Sequence, residues 1–416
     1  MSLPTPPLGP IAQLGTRPDT QRAGRILLVD DHLSNCHLAQ KYLQSAGFEN
    51  VTFETNPAEA LATLGQAPLP DIILLDVLMP EMDGFTLFKE IKAQPALSEI
   101  PILFMSAMDD PSYRATAYNM GAVDYVNKPF DRHELVARVN THLLNGFMLR
   151  ELRQYNQRLS LELDQAGDMQ KKLLPTPERQ ASLGADYGLT IASHFQGCAE
   201  LAGDYWCLYP LTANTLAIGI FDFAGHGVPS ALETVRLHAY LRELSSLWGK
   251  PQELLLELSQ RMLIELPIES FATCAYGILD RAASTFSWVG AGAPPILAVP
   301  AAPDAPVTEL DCSGLPLGLA PLTAADLPLK THPLTPHEKL IFYSDALFER
   351  DEGGWRAPAL EEALQQRTTA PSEQVEPAEH LLEKILTAYQ ARHPDHPEDD
   401  LTLVILELDD KPTSGA

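Results

Sequence analysis

The chain has 416 residues, 45% hydrophobic and 20% charged, which suits two or three ordinary globular domains and leaves room for only short disordered stretches. Its formal net charge of −26, from 29 basic and 55 acidic residues, repels phosphodiester backbones and anionic lipid headgroups. The excess is spread along the chain, with 8 basic and 16 acidic residues in 25–142 and 14 and 34 in 176–416, so no basic nucleic-acid-binding domain hides behind the average.

The N-terminal stretch 1–24 is rich in Pro, Gly and Thr and reads as a flexible tail, as does 411–416. From residue 25 to 144, the runs RILLV, VTFE, DIILLD, PILFM and VDYV alternate with segments of helical length. Continuous apolar strands separated by helices predict a parallel sheet covered on both faces, an α/β doubly wound (flavodoxin-like) domain whose ligands sit beyond the carboxyl ends of its strands. Residues 145–175 lack turn signals, and Met148, Leu152, Tyr155, Leu159, Glu162, Ala166, Met169 and Leu173 follow a 4-3 spacing. That pattern predicts either a coiled-coil linker able to pair with a second copy or an amphipathic helix lying on its own domain, ended by Pro175 and Pro177.

Beyond the linker, over 176–410, the runs LTIASHF, TLAIGIFDF, FATCAYGIL, STFSWVG, KLIFYSD and DLTLVILEL predict strands. Helices are expected near 228–247, 251–266, 358–366 and 376–391, and the Pro- and Ala-containing stretch 298–336 reads as a loop-rich insertion. Strands grouped beside helices indicate an α+β domain with an antiparallel β-sandwich flanked by helices. The cysteines Cys36, Cys198, Cys207, Cys274 and Cys312 are scattered without a CxxC pair and read as reduced, buried thiols. No leader-like segment opens the chain, and no apolar run approaches the ~20 residues of a membrane span, so the expected location is the cytoplasm, with no membrane and no nucleic acid as partner.

In the first domain, Asp30 and Asp31, Asp76, Ser106 and Lys128 all follow predicted strands, so the fold brings carboxylates, a hydroxyl and an ammonium to one cleft suited to Mg²⁺. The four separated motifs VDD, LLDVLMPEMDG, MSA and NKPF resemble those of response-regulator receiver domains. The resemblance implies that Asp76 accepts a phosphoryl group from a sensor histidine kinase. It implies that Asp31 binds Mg²⁺ with Asp30, Asp76 and the backbone carbonyl of Leu78, and that Ser106 and Lys128 engage the phosphoryl group. Tyr125 resembles the family's switch aromatic, its alternative being a plain strand aromatic.

In the second domain Asp204, Asp222, Asp345, Asp399 and Asp400 each stand at an end of a strand-like run. An all-carboxylate set without a His/Cys cluster favours Mg²⁺ or Mn²⁺ over Zn²⁺, and a pair of such ions suits phosphate-ester hydrolysis. The order MQKKLLP, LAGDYW, FDFAGHGVPSAL, FATCAYGILD, VGAGAPP, GLPLGL, FYSDALFE and DDLTLVIL resembles the metal-dependent (PPM-type) serine/threonine protein phosphatases, in particular their SpoIIE-like branch.

That resemblance implies two Mn²⁺ or Mg²⁺ ions held by Asp204, Asp222, Asp345, Asp399 and the backbone carbonyl of Phe223. It implies a supporting role for Asp400, loop glycines at Gly203, Gly225 and Gly227, and a role for His226 either as proton donor or in orienting water. Three departures from the family's motifs stand out: Ala202 and Ala346 replace usual glycines and Ala293 replaces the His of the usual AGH, leaving every carboxylate in place. The implied activity is hydrolysis of phosphoserine or phosphothreonine on a protein, an anti-sigma-factor antagonist by family likeness, under control of Asp76. The rival readings are a non-catalytic adaptor that binds partner proteins, and a DNA-binding regulator, which the acidic second domain disfavours.

Overall fold

A computed structural model of the protein describes residues 22–107, 111–225, 227–267, 270–302, 304–351, 354–365, 376–394 and 399–409. The chain divides into two compact units, the first ending at Arg158 and the second beginning at Leu159.

The first unit alternates strands β1 (Arg25–Val29), β2 (Asn50–Glu54), β3 (Ile72–Asp76), β4 (Ile102–Ser106) and β5 (Asp124–Asn127) with helices α1 (Leu33–Ser45), α2 (Pro57–Leu64), α3 (Gly84–Ala93) and α4 (Pro111–Asn119). The strands form one parallel sheet in the order β2-β1-β3-β4-β5, the flavodoxin-like order. Alternation along β1 explains why Ile26–Val29 is apolar throughout: Ile26 and Leu28 enter a core with Ala39 and Leu43 of α1, while Leu27 and Val29 enter another with Leu87 and Ile91 of α3. Helix starts follow local chemistry: Asp83 accepts from the Thr86 amide at 2.8 Å to cap α3, and Asn56 caps α2 by accepting from the Ala58 amide at 2.7 Å.

Helix α5 runs from Arg132 to Lys171, so the expected linker helix is not a separate element; it continues the helix whose Leu135, Val139 and Leu143 are buried in the first unit's core. Pro177 does not simply stop helical structure. Thr176 accepts from the Arg179 amide and Pro177 sits at the first position of a new helix α6 (Pro177–Tyr187), where its missing N–H costs no hydrogen bond.

The second unit contains β6 (Leu189–Gln196), β7 (Asp204–Pro210), β8 (Thr215–Phe223), β9 (Ala272–Asp280), β10 (Thr285–Ala291), β11 (Ile296–Val299), β12 (Thr308–Leu310), β13 (Lys330–Pro333), β14 (Lys339–Tyr343) and β17 (Leu401–Leu408), with a small hairpin β15 (Glu349–Asp351) and β16 (Gly354–Arg356). Helices α7 (Val228–Glu243), α8 (Pro251–Glu265), α9 (Pro358–Gln365) and α10 (Ala378–Arg392) accompany them. Two antiparallel sheets, ordered β13-β10-β9-β8-β7 and β12-β11-β14-β17-β6, form the sandwich. Phe286 of the first sheet meets Phe342 of the second edge to face at 5.9 Å. On β14 and β17, Leu340, Phe342, Val404 and Leu406 face that shared core, while Ile341, Tyr343, Leu403 and Ile405 face α9 and α10.

The expected loop-rich insertion is corrected at two points, since it supplies β12 and β13. Both are edge strands of three and four residues fixed by pairing with β11 and β10, which leaves little pattern in their own sequence. The strand-like runs also omit β7, which pairs along its whole length with β8.

Among the described residues, no helix is long and apolar enough to cross a membrane.

Candidate functional site

In the first unit the parallel sheet delivers Asp30, Asp76, Ser106 and Lys128 to one edge, as the strand ends predict. The Lys128 ammonium lies 2.6 Å from Asp30 Oδ2 and 2.7 Å from Asp76 Oδ2, so one half-buried cation joins two buried carboxylates. The Asp30 contact is an ion pair without hydrogen-bond alignment, since Asp30 Oδ2 has no hydrogen-bond partner among the described residues. Asp30 Oδ1 instead accepts from the His32 amide at 3.0 Å and from Asn35 Nδ2 at 3.2 Å.

Asp31 is half-buried and turns toward the His32 ring, 2.8 Å from Nδ1. Burial raises the pKa of the Asp76 carboxyl, against the lowering effect of Lys128 and of the Leu78 amide. Ser106 ends β4 fully buried, and Tyr125 is buried on β5 under the Arg114 guanidinium, 5.4 Å from the ring centre. Gly84 packs onto the phosphoacceptor candidate's backbone so closely that a Cβ there would fall 2.1 Å from the Asp76 carbonyl oxygen, which only glycine permits.

In the second unit the antiparallel register sets Asp204 of β7 directly opposite Asp222 of β8. The neighbouring sheet contributes Asp345, which opens a 3-10 turn after β14, and Asp399 and Asp400, which precede β17. The Asp204 Oδ2 atom accepts from Thr402 Oγ1 at 2.5 Å, while Oδ1 is buried without a hydrogen-bond partner among the described residues. Asp400 clamps both ends of the loop between β6 and β7: Oδ1 accepts from the Cys198 amide at 2.8 Å and Oδ2 from the Gly203 amide at 2.5 Å. Its own amide donates to Asp399 Oδ1 at 2.8 Å, leaving Asp399 exposed at the rim and Asp400 buried as a brace.

Burial, and then the charge of Asp222, holds the Asp204 carboxyl well above the ordinary range. Burial, and then Asp345, Asp399 and Asp400, push Asp222 up to about 8. Asp345 is raised by burial and by Asp399. No ion pair joins these acids to a Lys or Arg among the described residues. An all-oxygen set that runs from buried Asp204 and Asp400 through half-buried Asp222 to exposed Asp345 and Asp399, repels itself and carries an orphaned carboxylate oxygen fits hard divalent cations such as Mg²⁺ or Mn²⁺.

Gly225 and Gly227 have φ of +88° and +82°, the left-handed turn that carries the chain from Phe223 into α7. Gly203 lies against this turn, where a Cβ would come within 3.2 Å of the Phe223 carbonyl oxygen. His226 lies outside the described residues. The three alanine departures are accommodated: none of Ala202, Ala293 and Ala346 has a positive φ, Ala202 is buried, and Ala293 and Ala346 pack against apolar clusters.

Sequence reasoning missed Thr402, which orients Asp204, and Gln170, whose polar side chain on a helix reads as solvated but is buried. It also placed Cys198 among buried thiols. Cys198 is half-buried with its sulfur grouped with Asp399 and Asp400, and burial and those acids push the thiol up to about 11.

The geometry agrees with two family profiles: the response regulator receiver domain matches residues 26–140, and stage II sporulation protein E (SpoIIE) matches residues 212–409. Over 132 residues the chain is 39% identical to the response regulator PleD of Caulobacter vibrioides, covering 32% of this chain and 29% of that protein. Over 116 residues it is 40% identical to the DNA-binding transcriptional regulator NtrC of Escherichia coli, covering 28% of this chain and 24% of that protein. It thus spans less than a third of these curated relatives. The SiaA-PP2C domain of Pseudomonas aeruginosa shares the fold of the second unit, with a TM-score of 0.50 at 22% identity over 61% of this chain and 99% of that one. The chain therefore joins an N-terminal response-regulator receiver domain to a C-terminal phosphatase domain of the SpoIIE-like PPM family.

Proposed function

We propose that this protein is a two-component response regulator whose receiver, phosphorylated on Asp76 by a sensor histidine kinase, controls hydrolysis of phosphoserine or phosphothreonine on a partner protein in the cytoplasm. The observation that carries the hydrolase reading is the convergence of Asp204, Asp222, Asp345 and Asp399 around a buried, unpartnered carboxylate oxygen, with no Lys or Arg ion-paired to them among the described residues. Bound Mg²⁺ or Mn²⁺ supplies neutralisation of the phosphoryl group's charge.

The chain's own residues do the holding. Asp204 and Asp222, opposite each other across β7 and β8, grip from one sheet, and Asp345 and Asp399 from the other. Thr402 fixes the Asp204 rotamer, and Asp400 fixes the turn at Gly203. The Phe223 carbonyl is a further ligand in this reading, and His226 serves the leaving group or the attacking water. In the receiver, Asp30, Asp31, Asp76 and the Leu78 carbonyl hold Mg²⁺, and Ser106, Tyr125 and Lys128 read the phosphorylated state.

By family likeness the substrate is an anti-sigma-factor antagonist. Residues 145–175 pair two chains into a homodimer, a reading supported by the exposure of Met148, Leu152, Tyr155 and Leu159 on α5. The deciding experiment is a hydrolysis assay of phosphoserine and phosphothreonine peptides by the full chain with Mg²⁺, Mn²⁺ or chelator, with and without a small phosphodonor. Cation-dependent release of phosphate that changes with the phosphodonor is expected. No release under either cation replaces the hydrolase by the adaptor. The phosphoacceptor is tested separately: Asp76→Asn loses acid-labile labelling, and undiminished labelling removes Asp76 from the role.

A further inference from the structure

The last turn of α5 holds a buried polar side chain that none of the receiver or carboxylate chemistry uses. Gln170 is 5% exposed, and its amide spends both donors and an acceptor on protein. Nε2 donates to the Ala202 carbonyl at 2.6 Å and to Thr234 Oγ1 at 2.7 Å, while Oε1 accepts from the Ala202 amide at 3.1 Å. Thr234 passes the connection on by donating to the Ala231 carbonyl of α7 at 2.8 Å. One turn earlier on the same face, Gly167 lets the helix approach so closely that a Cβ there would sit 2.3 Å from the Glu200 carbonyl oxygen. The helix end is therefore fitted to residues 200–202 by backbone proximity and by hydrogen bonding, two independent features.

Those residues lead directly into the acids. Ala202 precedes Gly203, whose amide is held by Asp400, and Gly203 precedes Asp204. Thr234 lies on α7, which follows the Asp222–Phe223 strand end through the turn at Gly225 and Gly227. Gln170 thus ties the approach to β7 to the exit from β8, the two strands that carry the opposed Asp204 and Asp222. An amide suits the task because it returns both bonds to the Ala202 backbone, as a neighbouring strand would, and still has a donor for Thr234.

We propose that Gln170 is a positioning residue for the carboxylate cleft, setting the spacing of Asp204 and Asp222 and with it the affinity for divalent cation. The inference rests on the reading of those acids as cation ligands and deepens it. Gln170→Met keeps length and apolar packing but removes all three bonds. In the full chain it is expected to weaken Mn²⁺ binding in calorimetric titration by about tenfold and to speed amide hydrogen exchange in 199–204, with the receiver still labelled by a small phosphodonor. Thr234→Val, which removes one bond and leaves the helix untouched, should give a smaller loss in the same direction, and this milder variant keeps the test open if Gln170→Met does not fold. Unchanged Mn²⁺ affinity in folded variants, whatever happens to thermal stability, makes Gln170 merely structural and overturns the proposal. If wild-type protein binds no Mn²⁺ at all, the failure lies with the ligand reading of the acids, and the clasp has no cation site to position.

Discussion

The two units solve the same electrostatic problem in opposite ways. In the receiver, buried Asp30 and Asp76 have the Lys128 ammonium between them, so the chain itself offsets one of the two negative charges. In the phosphatase domain, burial and mutual repulsion with Asp399 and Asp400 raise the pKa values of Asp204, Asp222 and Asp345, and no Lys or Arg pairs with them among the described residues. The first cleft holds one cation for its two buried carboxylates; the second has no Lys or Arg partner among the described residues and is strained by mutual repulsion, which bound cations would relieve in the proposed function. The lesson is that acidic residues at strand ends do not report how a site is balanced. The location of the nearest basic group does.

The sharpest way to break this contrast is Asp222→Asn. Removing a cation-gripping carboxylate should cost several kcal/mol of transition-state stabilisation, about a thousandfold in hydrolysis rate, with the fold kept by circular dichroism. The same variant should behave oppositely in chelator. Folding raises the Asp222 pKa from 3.8 to about 8, so the folded state binds that proton more tightly than the unfolded one. Its contribution is complete below about pH 4 and is lost as pH rises toward 8. Wild-type protein in chelator should therefore lose second-unit stability over that window, and Mn²⁺ at a hundred times its Kd should restore about 2.7 kcal/mol. Asp222→Asn should flatten the pH response and shrink the Mn²⁺ effect. A wild-type melting profile that is the same with chelator and with Mn²⁺ across this range would refute the strained-cleft picture.

Lys128→Met tests the other side of the comparison. It leaves Asp30 and Asp76 buried without their cation, a change that typically costs about 3 kcal/mol or more. Thermal melting of the receiver with and without excess Mg²⁺ reads it. Partial rescue by Mg²⁺ is expected, because the ion then takes over the compensating charge, and undiminished stability without Mg²⁺ would show that Lys128 does not balance the cleft.

Much of this is legible in the sequence alone. The receiver's central strands announce themselves because they are covered on both faces, so Ile26–Val29 and Ile72–Leu75 are apolar throughout and their ends mark the site. The second unit's acids were legible as positions, and the antiparallel register of β7 and β8 explains why two of them share a cleft. The rest lay in tertiary context. Strands β12 and β13 are held by backbone pairing at sheet edges, Pro177 changes meaning once Thr176 caps a helix behind it, and Gln170 is buried by a fit that depends on Gly167 and Ala202 together. Hydrophobic periodicity cannot register a buried amide, because the pattern codes it as solvent-facing.

A smaller effect separates structural charge from functional charge within the receiver. Asp124 is half-buried, and burial alone would raise its pKa. Hydrogen bonds from His142, Arg138, the Tyr125 amide and Tyr118 outweigh burial and bring it to about 2. Its folded pKa lies below the ordinary 3.8, so its contribution is present above about pH 4 and is lost as pH falls from 4 to 2, the reverse of Asp222. The shift corresponds to about 2 kcal/mol, so Asp124→Asn should destabilise the receiver by that amount at pH 7 and by much less at pH 2. Equal losses at both values would mean that hydrogen-bond geometry, and not charge, carries the contribution.

The smallest effect on folding is expected where α5 is bare. Leu152 and Leu159 are 54% and 42% exposed, seven residues apart, whereas Gln170 on the same helix is 5% exposed and fully bonded. A leucine already in water has little burial to lose, so Leu152→Glu with Leu159→Glu should shift the melting of either unit by no more than about 0.5 kcal/mol per site. If the stripe is a seam between two chains, each leucine is instead worth about 1.5–3 kcal/mol of burial in the pair, and introducing like charges across the seam adds repulsion. Light scattering then falls from dimer to monomer in the double variant while Asp76 labelling persists, and the response of hydrolysis to the phosphodonor is lost. The two measurements are made on one sample, because a change in melting would point to a packed helix face and an unchanged mass to no seam at all. A monomer that still responds fully to the phosphodonor would leave the helix as a connector and move the coupling elsewhere in the chain.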